Sequence, residues 1–308
     1  MILAFAALLT AGSINEACAQ KKKDKKAPAD IKQEAKFVAV AAGTDYRLIE
    51  DKPGSVYPQN GDYLEVALNI TINDSVFFDT YTAMDGQPAP LTVQDVPFKG
   101  DLMVVLKLLT EGDSAQVRQS VDSVLAAGGQ AAPWMKTGVD QKMVYNVRVI
   151  KHQTKAQKEK EDRENAAKQK SVDDKIITDY LAANKIKATK TASGLYYKID
   201  NPGTGDAPAV GQNVSVNYTG MLVNGEKFDS NLDPQFQHVE PFRFPLGQNR
   251  VIAGWDEGIA LLKKGGKATL YIPSHLAYGM RSPSPKIPAN SVLIFDVELV
   301  DISSAIGQ

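Results

Sequence analysis

The chain has 308 residues, room for two domains at roughly 150 residues each, with Lys+Arg 35, Asp+Glu 36 and a formal net charge of −1. That balance excludes a nucleic-acid binder resting on a strongly basic surface, and 43% hydrophobic with 23% charged residues excludes a disordered or collagen-like chain. One cysteine, Cys18, excludes an internal disulfide framework and a cysteine-rich zinc site, and His152, His238 and His275 lack metal-ligand spacing, so neither a metal nor a cofactor is expected.

In chain order, residues 1–12 (MILAFAALLTAG) form the only long apolar run. It is too short for a membrane span of ~20 residues and suits the h-region of a signal peptide. Ala17-Cys18-Ala19 before Gln20 gives an A-x-A cleavage pattern, so 1–19 is expected to be a signal peptide and 20–40 a lysine-rich linker. The basic n-region of a signal is lacking after Met1. Cys18 carries a second reading, as the lipidated residue of a bacterial lipoprotein; Ala17 fits before it, while Asn15 stands where Leu is usual. The expected location is the periplasm or cell envelope, with an outer-membrane lipoprotein as the alternative and membrane contact only if Cys18 is lipidated.

The chain then repeats itself. Residues 44–54 (TDYRLIEDKPG) and 193–203 (SGLYYKIDNPG) both end on a D-x-P-G turn signal. Residues 61–80 align without a gap on 211–230, an offset of 211 − 61 = 150, and MVYNVRVIK (143–151) aligns on LIFDVELVD (293–301) at the same offset. Between them EGDSAQV (111–117) matches KGGKATL (264–270) at 264 − 111 = 153. Blocks in one order at nearly one offset predict two copies of one fold, 41–151 and 188–303. NVSVNY (213–218) alternates as a half-buried strand does, and ATLYI and SVLIFDVELV are rich in β-branched and aromatic residues. A short helix is predicted over Trp255–Lys264, closed by Gly265-Gly266. The plan is α+β, an antiparallel sheet with one helix.

Between the copies, 152–187 reads as a charged linker and an amphipathic helix. Residues 151–170 contain no large apolar side chain, which predicts a solvated helix or flexible linker. Ser171 is the predicted N-cap of the amphipathic helix, with Asp174 three residues on. Val172, Ile176, Tyr180 and Ile177, Leu181 make a stripe that should dock on a domain or pair with a second copy.

The second copy holds VNYTG (216–220), NGEKFDS (224–230), PFRFPLG (241–247), VIAGWDEGI (251–259), GGKATLYIP (265–273), LAYG (276–279), KIPANS (286–291) and LIFDVEL (293–299). Over about 190–302 this resembles the FKBP family of peptidyl-prolyl cis-trans isomerases, and TASGLYYKI (191–199) is similar to the opening strand of secreted Mip-like bacterial members. The resemblance implies two tandem FKBP-like domains, each a twisted antiparallel sheet wrapped on a short helix, joined by a charged helical linker. It implies proline-containing unfolded or nascent exported polypeptides as substrates, a macrolide as a further ligand, and a homodimer as one possible state.

The chemistry asks for no triad and no metal. Turning an X–Pro bond breaks no covalent bond and moves no proton; the amide must lose double-bond character over a barrier of ~18–20 kcal/mol. An apolar pocket favours the twisted, less charge-separated amide, and each ~1.4 kcal/mol of preference is worth about tenfold in rate. By resemblance, Trp255 is the floor under the proline ring; Tyr218, Phe228, Phe242 and Phe295 are the walls. Val251 and Ile252 enter the helix, with the Ile252 N–H offered to a substrate carbonyl. Tyr278 supplies a rim hydroxyl, Asp229 a buried carboxylate, and Ile287 lies in an overhanging loop. Phe244 reads as core. Family members commonly pair the carboxylate with an arginine of the next loop; here that loop, NLDPQFQHVE (231–240), holds no arginine.

In the first copy Tyr218 becomes Leu68, Trp255 becomes Leu102, Tyr278 becomes Leu125 and Phe295 becomes Tyr145, while Phe78 and Asp79 remain. An inactive copy that binds partners, dimerises or spaces is expected. The competing readings for the whole chain are a non-catalytic chaperone or binding module, and a structural role at the envelope anchored through Cys18.

Overall fold

The computed structural model describes residues 36–41, 43–52, 56–73, 75–96, 98–129 and 131–303. The expected signal peptide and Cys18 lie outside them. The chain divides into two compact units between Glu161 and Asp162.

The first unit runs β1 (Val38–Ala41), β2 (Thr44–Glu50), β3 (Tyr63–Ile72), β4 (Ser75–Asp79), α1 (Thr80–Ala83), β5 (Ala89–Thr92), α2 (Leu102–Leu106), β6 (Ser114–Ser120), α3 (Val121–Ala126) and β7 (Lys142–Gln153). Helix α4 (Lys155–Ala183) crosses the division. The second unit runs β8 (Thr189–Lys190), β9 (Tyr196–Asn201), β10 (Asn213–Leu222), β11 (Lys227–Ser230), β12 (Phe242–Pro245), α5 (Ala253–Ala260), β13 (Lys267–Ile272) and β14 (Leu293–Ser303), with single 3-10 turns at Pro234–Phe236 and Ser274–Leu276.

The two sheets follow the same antiparallel path. The first is ordered β1-β2-β6-β7-β3-β4 with β5 on β3; the second, read from its other end, is β8-β9-β13-β14-β10-β11 with β12 on β10. The repeat extends to register. Tyr63 faces Gln153 and Ile72 faces Met143; Asn213 faces Ser303 and Leu222 faces Leu293, each 150 later. Even the bulge recurs, between Glu65 and Val66 and between Ser215 and Val216. A bulge inserts one residue and re-aims those beyond it, so sharing one preserves which side chains point inward.

The sheets differ in how many faces they bury. Strand β6, SAQVRQS, alternates buried and half-buried positions, the mark of one covered face. In the second unit Leu270 and Ile272 face the helix side, while Tyr271, Ile294, Tyr196 and Val292 pack with Ile177 and Leu181 of α4 on the other. The short apolar runs Leu270–Ile272 in β13 and Leu293–Phe295 in β14 follow from this double cover. Asp173, fully buried on α4, accepts from the Ser274 N–H (2.8 Å), the Ser274 hydroxyl (2.6 Å) and the Gln169 amide (2.7 Å). It ties the helix to the turn that leads into Tyr278.

Several boundaries differ from expectation. β1 begins inside the anticipated 20–40 linker, and β7 continues to Gln153 because it pairs with Tyr63. Ser171 does not cap a helix: α4 is continuous from Lys155, and the Ser171 hydroxyl donates back to the Ala167 carbonyl. Its buried stripe is Asp173, Ile177 and Leu181, while Val172 and Ile176 are exposed. Helix α5 starts at Ala253 and stops at Ala260, because the N–H groups of Lys263 and Lys264 turn to the carbonyls of Pro202 and Asp206.

Candidate active site

Helix α5 lies on β13, and two close approaches set its depth. A Cβ on Gly254 would stand 2.5 Å from Ile272, and one on Gly258 would stand 2.5 Å from Leu270. The helix therefore settles onto the sheet and brings Trp255, 5% exposed, into the core. Around the indole stand Tyr218 (centroids 5.1 Å, 76°), Phe295 (5.2 Å, 86°), Phe242 (6.1 Å, 78°) and Phe244 (5.9 Å, 49°). Edge-to-face rings at these distances are the favoured arrangement of aromatic quadrupoles. Phe228 packs edge-on against Phe295 at 5.5 Å.

Over this floor opens a cavity of about 470 Å3 lined by Tyr218, Phe228, Asp229, Phe242, Val251, Ile252, Trp255, Tyr278, Ile287 and Phe295, together with Arg250, Pro283 and Ser284. Every residue named from the sequence as a site residue of the second copy meets there. Phe244 is buried behind the wall, as core. Gly220 makes room for the aromatic wall: a Cβ there would lie 2.6 Å from the rings of both Phe228 and Phe295.

The polar groups are few. The Ile252 carbonyl accepts from the N–H groups of Trp255 and Asp256, while the Ile252 N–H has no partner among the described residues. The approach to it is fixed by Asp256, which accepts from the Gly247 N–H (2.8 Å) and the Asn249 N–H (3.1 Å). The Trp255 indole N–H is buried and has no partner among the described residues, an arrangement that costs on the order of 1–3 kcal/mol and is uncommon in cores. The Tyr218 hydroxyl donates to Asp229 Oδ2 at 2.7 Å, and His238 Nε2 lies 2.7 Å from Asp229 Oδ1. Burial first, then the Asp229 hydrogen bond and charge, push the Tyr218 hydroxyl well above the ordinary tyrosine value. Burial and then Asp229 push the Tyr278 hydroxyl up as well. Both stay neutral donors.

Sequence reasoning missed His238, Arg250, Pro283, Ser284 and Asp256. His238 could have been found as the one histidine in the loop that lacks the arginine. Asp256 required the folded loop to be seen.

The family profile described as FKBP-type peptidyl-prolyl cis-trans isomerase matches residues 205–300. The chain is 37% identical over 211 residues to the FKBP-type peptidyl-prolyl cis-trans isomerase FkpA of Aeromonas hydrophila, covering 68% of each. The chain belongs to this family. The FKBP-type isomerase FkpA of Escherichia coli (strain K12) is 41% identical over 157 residues, 51% of this chain and 53% of that relative, so the chain matches only about half the length of that relative. FK506-binding protein 1A of Aspergillus fumigatus is 45% identical over 112 residues, 36% of this chain but 96% of that protein. A crystal structure of FkpA from Escherichia coli is 40% identical, covers 49% of this chain and 64% of that one, and superposes with a TM-score of 0.37. Peptidyl-prolyl cis-trans isomerisation is thus the activity of this FKBP-type chain.

Proposed function

We propose that catalysis resides in the second unit, and that its aromatic cavity takes the proline of X–Pro segments in unfolded exported polypeptides. The observation that carries this is the convergence on a single cavity of an aromatic floor and walls with a backbone donor, Ile252 N–H, that has no partner among the described residues. The proline ring lies over Trp255. The amide turns in surroundings that solvate the planar, charge-separated form poorly and so favour the twisted one. The Ile252 N–H and the neutral Tyr278 hydroxyl hold the flanking backbone while it turns. A macrolide would occupy the same apolar space. The export half of the proposal rests on the apolar run 1–12 and the A-x-A pattern.

The first unit carries a different role in this proposal, that of holding unfolded chain. Val76, Phe77, Tyr81 and Met84 are exposed there, and Phe77 meets Trp134 with centroids 4.8 Å apart. Proline-limited refolding tests both halves. The full chain accelerates the slow phase of a protein substrate, and a chain lacking the first unit acts on short X–Pro peptides equally well but on the protein substrate less well. No acceleration by the full chain would overturn the catalytic assignment.

A further inference from the structure

The loop from β11 to β12 brings a histidine to the carboxylate of the pocket. His238 Nε2 is 2.7 Å from Asp229 Oδ1, while the other oxygen of Asp229 receives the Tyr218 hydroxyl at 2.7 Å. The imidazole also lies roughly parallel to the Tyr218 ring, centroids 6.4 Å apart and 29° between planes. A histidine, rather than an arginine, therefore partners this carboxylate. A guanidinium keeps its charge at every physiological pH; an imidazole does not.

We propose that His238 is a positioning residue of the isomerase site, holding Tyr218 through Asp229, and that its protonation state sets the activity. The inference rests on the cavity over Trp255 being the catalytic site. In either charge state the Nε2–H can donate to Asp229. The carboxylate acceptor is charged in either state, and a positive imidazolium adds an ion-pair attraction to that bond. The stronger bond fixes the carboxylate, and the carboxylate fixes the tyrosine wall.

Other titratable and charged groups stand on the elements around His238. Tyr218 on β10 and Tyr278 after the 3-10 turn are both held neutral by burial and the Asp229 charge. Within the loop, Asp233 faces Lys227 of β11 at 3.6 Å and caps the Gln235 N–H, and the Glu240 carbonyl accepts from Asn231. On the overhanging loop Lys286 lies 5.3 Å over the Phe236 ring. Arg250, at the cavity edge, is a further cation.

The test is the kcat/KM of the full chain on a short X–Pro peptide, read by NMR exchange between pH 5.5 and 8.5, for the parent, His238→Gln and His238→Arg. The parent should lose roughly two- to fivefold as pH rises, the range expected for one half-exposed ion pair. His238→Gln, a neutral donor, should be flat near the parent's high-pH level. His238→Arg should be flat near its low-pH level, a rescue that a merely structural role would not give. Thermal unfolding of all three separates lost folding from lost positioning. Identical profiles in the three chains, or a parent profile that rises with pH, would overturn the inference. Catalysis that ignores His238 leaves the site assignment standing, whereas no catalysis at any pH removes both.

Discussion

The two units share a sheet path, a register and a bulge, yet they fill the same frame with different chemistry. In the second, Gly220 leaves space for Phe228 and Phe295, and the interior above β13 is a ring of aromatics. In the first, the position of Gly220 is Ile70, and that of Trp255 is Leu102, buried in a core whose buried members are aliphatic apart from Tyr145 and the methionines Met103 and Met143. Gly258 and Leu270 become Val105 and Val117, a trade of volume between helix and sheet that keeps both buried. Gly254 and Ile272 become Asp101 and Gln119, and a buried polar network appears. The Tyr145 hydroxyl donates to Gln119 Oε1 (2.9 Å), and the Gly100 carbonyl accepts from both Gln119 (2.5 Å) and Thr44 (2.9 Å). Asp79, the counterpart of Asp229, caps α1 through the Thr82 N–H at 3.0 Å instead of holding a tyrosine. A duplicated sheet thus conserves its backbone pairing while its interior is free to change, because register depends on pleat and hydrogen bonds and a pocket depends on side-chain volume.

This contrast can be broken most directly at its centre. Trp255→Ala is expected to reduce isomerase activity by about a hundredfold or more and to cost ~3–5 kcal/mol of the second unit's stability, the range for truncating a buried large aromatic residue. Refolding kinetics and a denaturant titration read both. Importing the first unit's residue as Tyr218→Leu removes a charge-assisted hydrogen bond worth ~1.5–3 kcal/mol; activity on a short peptide should drop by about one to two orders of magnitude. Retained activity in that variant would mean that the wall can be aliphatic.

A smaller effect is expected from Gly220→Ala, which tightens the wall toward its first-unit form. With a Cβ 2.6 Å from two rings, overpacking of ~1–3 kcal/mol should show as a several-fold loss in kcat/KM with the sheet intact by circular dichroism. The last prediction concerns the first unit alone. Burial alone would raise the Asp62 carboxyl, but hydrogen bonds from the Gln59 N–H, His152 and the Lys155 N–H outweigh it and hold the group below the ordinary carboxylate range. A carboxyl depressed in the folded state adds stability above its unfolded pKa of ~3.9, and that stability is lost as pH falls through the lowered value. Asp62→Asn should therefore destabilise the first unit by ~1–3 kcal/mol at pH 7. The gap between parent and variant should close at acid pH in thermal unfolding, and peptide isomerisation should not change.

By itself the sequence determined the duplication, the α+β plan and ten of the thirteen residues that line the cavity of the second unit. These are legible because a repeat offset and an aromatic pattern are one-dimensional facts, and the resemblance supplied the roles that composition would have assigned to the core. Folding decided what depends on neighbours distant in the chain. Strand β13 carries the apolar run Leu270–Ile272 because α4 covers its outer face through Ile177 and Leu181. Ser171 lies inside a helix because the buried stripe beginning at Asp173 is shared with residues a hundred positions away. His238 became the partner of Asp229 only when a loop of irregular backbone closed, and no periodicity encodes where such a loop places its side chains.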